Sequence, residues 1–92
     1  MRHRKAVMKE KGEKLLRLSL DVERDVIRSA RLSGDFFIHP EEGAGAIEER
    51  LAGLPMDETK ILAAVRAVVA ERSLDLIGLS PETIARAVVN AK

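Results

Sequence analysis

The chain has 92 residues, of which 46% are hydrophobic and 2% aromatic, and its formal net charge is +1. This length and apolar content predict one small globular domain rather than a disordered chain. The lack of cysteine excludes disulfides and thiolate metal sites, and the lack of tryptophan and tyrosine argues against a surface that stacks nucleic-acid bases. The apolar runs are too short to cross a bilayer, and no long apolar segment follows the basic N-terminus, so we expect a cytoplasmic protein.

Positive charge is concentrated at the start of the chain. The first 17 residues hold seven basic and two acidic side chains, a charge of +5. Because the whole chain is +1, the remainder carries −4. We expect residues 1–12 to form a basic flexible arm and residues 13–92 to form a single α+β domain. Such an arm can contact phosphate, contact an acidic partner, or simply be solvated.

The next segment has the pattern of a β-hairpin. Apolar residues alternate with polar ones from Leu16 to Val22, as in a strand with one buried face. The polar segment Glu23–Asp25 predicts a turn, and Val26–Leu32 is then the returning strand. Its alternation is disturbed near the turn, which predicts a β-bulge or a short loop.

The segment Ser33–Pro40, called the junction below, separates the strand period from a helical period. It contains the only two aromatic residues, Phe36 and Phe37. Neighbouring residues in an extended chain point to opposite faces, so one phenylalanine can enter the core while the other faces solvent or a partner. Residues 36–38 either resume the second strand or start a third.

Three helices are predicted after the junction. The first is expected from near Ala44 to Gly53 and the second over about Asp57–Arg72, with Asp57 as N-cap. Leu74–Leu79 is expected to be an apolar connector, and Ser80 begins a third helix that runs nearly to the end.

This order of elements predicts an α+β fold. An N-terminal antiparallel β-hairpin or three-stranded sheet spanning Lys14–His39 is followed by three helices packed on it. The residues predicted to be buried together are Leu16, Leu18, Leu20, Leu32, Ile47, Leu51, Ile61, Val65, Val68, Ile84 and Val88.

The sequence contains no recognisable catalytic pattern. His3 and His39 are too few for a zinc site, and the serines and glycines form neither a nucleophile elbow nor a phosphate loop. The segment from Lys11 to Lys14 could contact an anion, although one lysine–glycine pair is more often part of a loop. The residues alone do not predict an enzyme.

Several segments occur in a characteristic order. They are the arm leading into Lys14-Leu15-Leu16-Arg17, the hairpin with Ile27 and Ala30-Arg31-Leu32, the block Ser33-Gly34-Asp35-Phe36-Phe37, Pro40-Glu41-Glu42, and the helix Ser80–Ala87. Over roughly Lys11–Ala91 the chain resembles the C-terminal accessory domain of lipoate–protein ligases, most specifically in the Ser-Gly-Asp-Phe-Phe block. It departs from the family in Gly43-Ala44-Gly45, which loosens a helix start, and in an arm that lacks a second glycine.

The resemblance implies a separate small subunit with no catalytic residues of its own. A catalytic lipoate–protein ligase chain would need it to convert lipoate and ATP into lipoyl-adenylate, and need it less for transfer to lipoyl acceptor domains. Lipoate and ATP/Mg are then cofactors of the complex, with none bound by this chain alone. The expected partner interface is Ser33, Gly34, Asp35, Phe36 and Phe37, and the expected phosphate or substrate contacts are Lys11 and Lys14.

Two other functions stay open at the level of sequence. One is a small nucleic-acid-binding domain that uses the basic arm, although the acidic remainder and the scarcity of aromatic residues count against it. The other is a self-associating interaction domain anchored by Phe36 or Phe37.

Overall fold

Two small antiparallel sheets and three helices form the fold. The computed structural model describes all residues from Met1 to Lys92. The elements are β1 (Arg2–Met8), β2 (Leu16–Glu23), β3 (Val26–Gly34), β4 (Phe37–His39), α1 (Gly43–Leu51), α2 (Glu58–Glu71), β5 (Asp75–Ile77) and α3 (Pro81–Asn90). The larger sheet has the order β1-β2-β3, and β4 pairs with β5 in the smaller one. The predicted α+β fold, an N-terminal antiparallel sheet followed by three helices, is confirmed. The predicted span Lys14–His39 is wrong for the sheet, because its third strand is β1 and residues 37–39 pair with β5 instead.

The β2–β3 hairpin forms where the alternating pattern predicts it. Its turn residues Arg24 and Asp25 have φ angles of 52° and 60°. Two left-handed residues in succession give a tight turn with the twist of the flanking strands. The register shifts between Asp21 and Val22, so β3 carries one extra residue and the predicted bulge is confirmed.

β1 is a paired strand, so the prediction of a flexible arm over residues 1–12 is wrong for most of that segment. Its residues pair with β2 from Arg2 opposite Val22 to Met8 opposite Leu16. The sequence pattern hides this strand because Arg4 shares the inward side with Ala6 and Met8. Long-range pairing, rather than local alternation, therefore fixes β1 as the third strand of the sheet.

The loop after β1 is also held in place. The Thr83 hydroxyl, on a buried side chain of α3, donates a hydrogen bond of 2.7 Å to the Glu13 carboxylate. Glu10 pairs with Arg86, also on α3, at 3.1 Å. Residues 1–12 thus belong to the same folded unit as residues 13–92.

The helices cover one face of the larger sheet and enclose the core. All residues predicted to be buried are 9% exposed or less, and they lie in one cluster of 20 buried side chains. The Asp57 carboxylate accepts the N–H of Lys60 at 3.1 Å, and the Ser80 hydroxyl accepts the N–H of Thr83 at 3.2 Å. Both predicted N-caps are confirmed. None of the helices combines the length and apolar character needed to cross a lipid bilayer.

The junction leaves the larger sheet and builds the smaller one. β4 pairs with β5, which lies in the segment predicted to be a plain connector, so that expectation is wrong. Ile38 and Leu76 are directly opposite each other, and both pack against the core. Burial of this pair explains why two such short segments come together and satisfy each other's backbone groups.

Both edges of the larger sheet are partly covered. At β3, the α1–α2 linker 53–56 hydrogen-bonds to the start of the strand, and Glu48 accepts the N–H of Leu32 at 2.8 Å. At β1, Lys5 and Lys92 exchange two backbone hydrogen bonds of 3.0 and 2.9 Å. This coverage shortens the free edges with which a strand from another chain could pair. The junction and the open face of the sheet are exposed as well.

Candidate partner interface

The junction begins at a close backbone approach. Gly34 lies opposite Leu16 and has a φ angle of 146°. A Cβ at this position would collide with the carbonyl oxygen of Leu15. The N–H of Asp35 donates to that same carbonyl at 3.0 Å. Only glycine fits this approach without strain, and the approach sets the direction in which the following residues leave the sheet.

The two phenylalanines face different environments, as predicted. Phe36 is half-buried and packs against the core cluster. Phe37 is 64% exposed, and among the large apolar residues only Met1 and Val7 are more exposed. The backbone of both is fixed, because Gly34 is anchored to β2 and Phe37 lies in β4. The exposed ring is therefore presented on an ordered frame.

Ile77 extends this apolar surface, although the sequence predicts only an apolar connector at this position. In the β4–β5 pair Ile77 is directly opposite Phe37, and its side chain is 46% exposed. Side chains opposite each other on one face of a sheet lie within contact distance. The alternation of Leu74 and Leu76 with Asp75 and Ile77 is the signal that could have placed Ile77 outward. We call Ser33–Phe37 together with Ile77 the junction surface.

Contacts connect Lys14 to this surface. Its N–H donates to the carbonyl oxygen of Gly78 at 2.8 Å, and its Cβ and Cγ lie over Gly78, the residue after Ile77. Lys14 also precedes Leu15, which receives the N–H of Asp35. Lys11 is on the exposed turn between β1 and β2 and has no such contact. The structure thus brings one of the two predicted anion-contacting lysines to the junction.

The remaining polar residues of the junction are unengaged. The side chains of Ser33 and Asp35 are exposed and make no hydrogen bond within the chain. The turn is therefore held by the backbone of Asp35 rather than by its carboxylate.

The two histidines lie in different sheets. His39 ends β4 opposite Asp75, whereas His3 lies on β1 with its Nδ1 2.9 Å from Asp21. No three histidine, aspartate or glutamate side chains are grouped as metal ligands.

Gly34→Ala is expected to lower the free energy of unfolding by about 1–3 kcal/mol. The added Cβ would meet backbone, which cannot swing away, at a φ angle that alanine rarely adopts. Gly45→Ala is the matched control, because Gly45 lies inside α1 with open space around an added Cβ. That variant should gain up to about 1 kcal/mol. Urea unfolding measures both, and unchanged stability of Gly34→Ala would contradict the close approach.

Comparison with known proteins shows the family to which the chain belongs. Residues 10–87 match the family described as bacterial lipoate protein ligase C-terminus, and the chain belongs to that family. Its structure is similar to a chain from the solved structure of an archaeal lipoylation system, a bi-partite lipoate protein ligase and its E2 lipoyl domain from Thermoplasma acidophilum. The TM-score is 0.80 at 28% identity, over 95% of this chain and 94% of that one. A comparison with curated proteins gave no match. The family resemblance drawn from the sequence is confirmed.

Proposed function

We propose that this chain is the non-catalytic accessory subunit of a two-chain lipoate–protein ligase. The supporting observation is the match of nearly its whole length to nearly the whole length of one chain of a bi-partite ligase. In this proposal a separate catalytic chain binds lipoate and ATP/Mg, and the accessory chain is needed for their conversion to lipoyl-adenylate. In this proposal the lipoyl acceptor domain binds to the two-chain complex rather than to this chain alone.

The junction surface is the proposed contact with the catalytic chain. Phe37 and Ile77 form an exposed apolar pair on paired strands, with the unengaged Asp35 and Ser33 beside them along the chain. An apolar centre with a polar surround is the usual composition of an interface hot spot. The frame is already ordered, so binding costs little conformational entropy in this part of the chain.

Lys14 is the proposed contact with a phosphate or substrate at the edge of this interface. Its backbone is fixed to Gly78, so its ammonium group can reach only a limited volume near the junction. A domain that closes over a partner's site excludes water and completes the set of charges around a reacting phosphate. We assign this part to Lys14 rather than to Lys11 because only Lys14 has contacts with the junction.

Reconstitution with a cognate catalytic chain tests the proposal. Lipoate-dependent exchange of pyrophosphate into ATP is measured for each chain alone and for the mixture. This chain alone should show no exchange, and the mixture should exceed the catalytic chain alone. Transfer from preformed lipoyl-adenylate to an acceptor domain should depend less on the accessory chain. Equal exchange with and without this chain would overturn the proposal.

A further inference from the structure

The open face of the larger sheet, turned away from the helices, carries a cluster of cations. Lys5 on β1, Arg17 on β2 and Arg31 on β3 all have exposed side chains. The register places Lys5 and Arg31 opposite Ser19 from the two sides, and Ser33 opposite Arg17. We call these five residues the basic sheet face. Together with Glu48 and the apolar residues Ala6, Val7, Leu18 and Leu32, they line one surface depression.

The three cations form no ion pair within the protein, although Arg31 also borders a second depression that Asp21, Glu48 and Glu49 line. The protein's five ion pairs involve His3, Arg28, Arg50, Arg66 and Arg86 instead. Glu48 is the only carboxylate lining the depression of the basic sheet face, and it already accepts the N–H of Leu32 at 2.8 Å. Three like charges in one depression raise the local positive potential, which an anionic ligand would relieve.

The nearest acid along the same face is also engaged. The Asp21 carboxylate lies 2.9 Å from Nδ1 of His3 and accepts the hydroxyl of Ser29 at 2.8 Å. The hydrogen bond with His3, followed by that from Ser29, holds the pKa of Asp21 below its usual range. Asp21 is thus ionised and satisfied by its own neighbours.

The side chains around Ser19 have the chemistry that binds phosphate. Neighbouring and diagonal positions on a sheet face lie about 5–8 Å apart, so three long cationic side chains can converge on one anion. Arginine supplies a planar pair of donors that matches two phosphate oxygens, lysine supplies a mobile point charge, and serine hydroxyls donate further hydrogen bonds. All five residues are on paired strands, which fixes their backbone before a ligand arrives.

Recognition of a base is not part of this arrangement. Stacking of a nucleobase needs an aromatic face. The only aromatic residues are Phe36 and Phe37, which follow β3 at the junction, and neither lines the depression. Charge and hydroxyl groups alone select a phosphoanhydride without regard to what is attached to it.

We propose that the basic sheet face is a binding site for the phosphate groups of a small diphosphate or triphosphate anion. Inorganic pyrophosphate and the phosphates of a nucleoside triphosphate share this chemistry. The site is on this chain alone and does not depend on the accessory role proposed above.

Titration of the ¹⁵N-labelled chain with pyrophosphate, ATP and AMP at constant ionic strength tests the site by NMR. Saturable shifts should concentrate at Arg17, Ser19, Arg31 and Ser33. Pyrophosphate and ATP should bind with similar affinity and AMP more weakly, because AMP carries fewer charges. Much tighter binding of ATP than of pyrophosphate would show that the nucleoside is recognised, which contradicts a site that binds phosphate groups alone. Shifts spread evenly over all basic residues, or no saturation with any of the three, would overturn the proposal.

Two double variants that remove the same number of charges distinguish binding at the basic sheet face from a general effect of net charge. Arg17→Gln with Arg31→Gln should weaken pyrophosphate binding at least about 10-fold, since each arginine contributes charge-assisted hydrogen bonds. Arg28→Gln with Arg72→Gln removes the same charge from exposed positions outside the depression and should leave the affinity nearly unchanged. The spectrum of each variant shows whether it is folded. Equal loss in both variants, or much tighter binding of a single-stranded oligonucleotide than of pyrophosphate, would overturn the proposal.

Discussion

Replacing Leu18 by alanine should lower the free energy of unfolding by about 2–5 kcal/mol. Leu18 is in the central strand β2, is 2% exposed and belongs to the core cluster under the helices. Truncation removes buried methyl groups and leaves a cavity that strands on both sides prevent from collapsing. Small domains have roughly 5–15 kcal/mol of total stability, so this one change should shift the unfolding midpoint substantially.

Val7→Ala is the matched control on the other face of the same sheet. Val7 is 67% exposed, so its truncation removes little buried surface and should change the stability by less than about 0.5 kcal/mol. Urea unfolding followed by circular dichroism compares the two variants. A loss below about 1 kcal/mol for Leu18→Ala, or similar losses for both, would show that the assignment of the sheet faces is wrong.

The parts of the fold that the sequence predicts are those that local interactions determine. The alternation from Leu16 to Val22 defines a strand face without reference to the rest of the chain. Asp57 and Ser80 each satisfy backbone donors within their own first turn, so both caps are visible in a window of a few residues. Helical spacing alone places Ile61, Val65 and Val68 of α2 and Ile84 and Val88 of α3 on inward faces, and all five are buried.

The parts that the sequence does not predict depend on pairing between distant segments. β1 has a charged residue, Arg4, among its inward positions, and its strand character comes from alignment with β2. β4 and β5 have three residues each and are separated by two helices. Neither segment forms an isolated strand, and each depends on Ile38 and Leu76 packing on the core.

The candidate site likewise has one part that local sequence predicts and another that depends on pairing between distant segments. Adjacency of Phe36 and Phe37 is enough to predict that one faces the core and the other faces away from it, because neighbouring side chains of an extended backbone point to opposite faces. The addition of Ile77, the contact of Lys14 with Gly78 and the convergence of Lys5, Arg17 and Arg31 around Ser19 all follow from strand register. Register across long loops cannot be worked out from spacing in a single sequence.

The ordering of β1 also bears on the alternatives to a ligase subunit. A nucleic-acid-binding arm was one hypothesis for the basic N-terminal segment. In β1, Lys5 points outward and lies on the basic sheet face, while Arg4 points to the opposite side. The charges are thus divided between two sides of a strand and do not form one mobile basic tract. Hydrogen bonds at Lys5 of β1 and at Ile27 and Leu32 of β3 likewise shorten the free edges on which a second copy could add a strand.

Phe37→Ala should weaken binding to the catalytic chain by about 2 kcal/mol or more, roughly 30-fold in Kd, while the accessory chain stays folded. Phe37 is 64% exposed, so the free chain loses little buried surface, whereas the complex loses the anchor of the junction surface. Ile77→Ala should produce a smaller loss, and the double variant should lose less than the sum, because the two side chains are cross-strand neighbours that act as one patch. Calorimetric titration of the catalytic chain measures all three.

Phe36→Ala and Val7→Ala separate an interface effect from a folding effect. Phe36 packs on the core, so its truncation should reduce stability to unfolding, whereas Phe37→Ala should not. Val7 is an equally exposed apolar residue outside the junction surface, so Val7→Ala should bind the catalytic chain normally. If Phe37→Ala binds as tightly as Val7→Ala, the junction surface is misplaced even where reconstitution succeeds. If Phe37→Ala is instead unfolded, its ring supports the domain as Phe36 does. Retained folding together with lost binding is therefore the combination that assigns Phe37 to the partner.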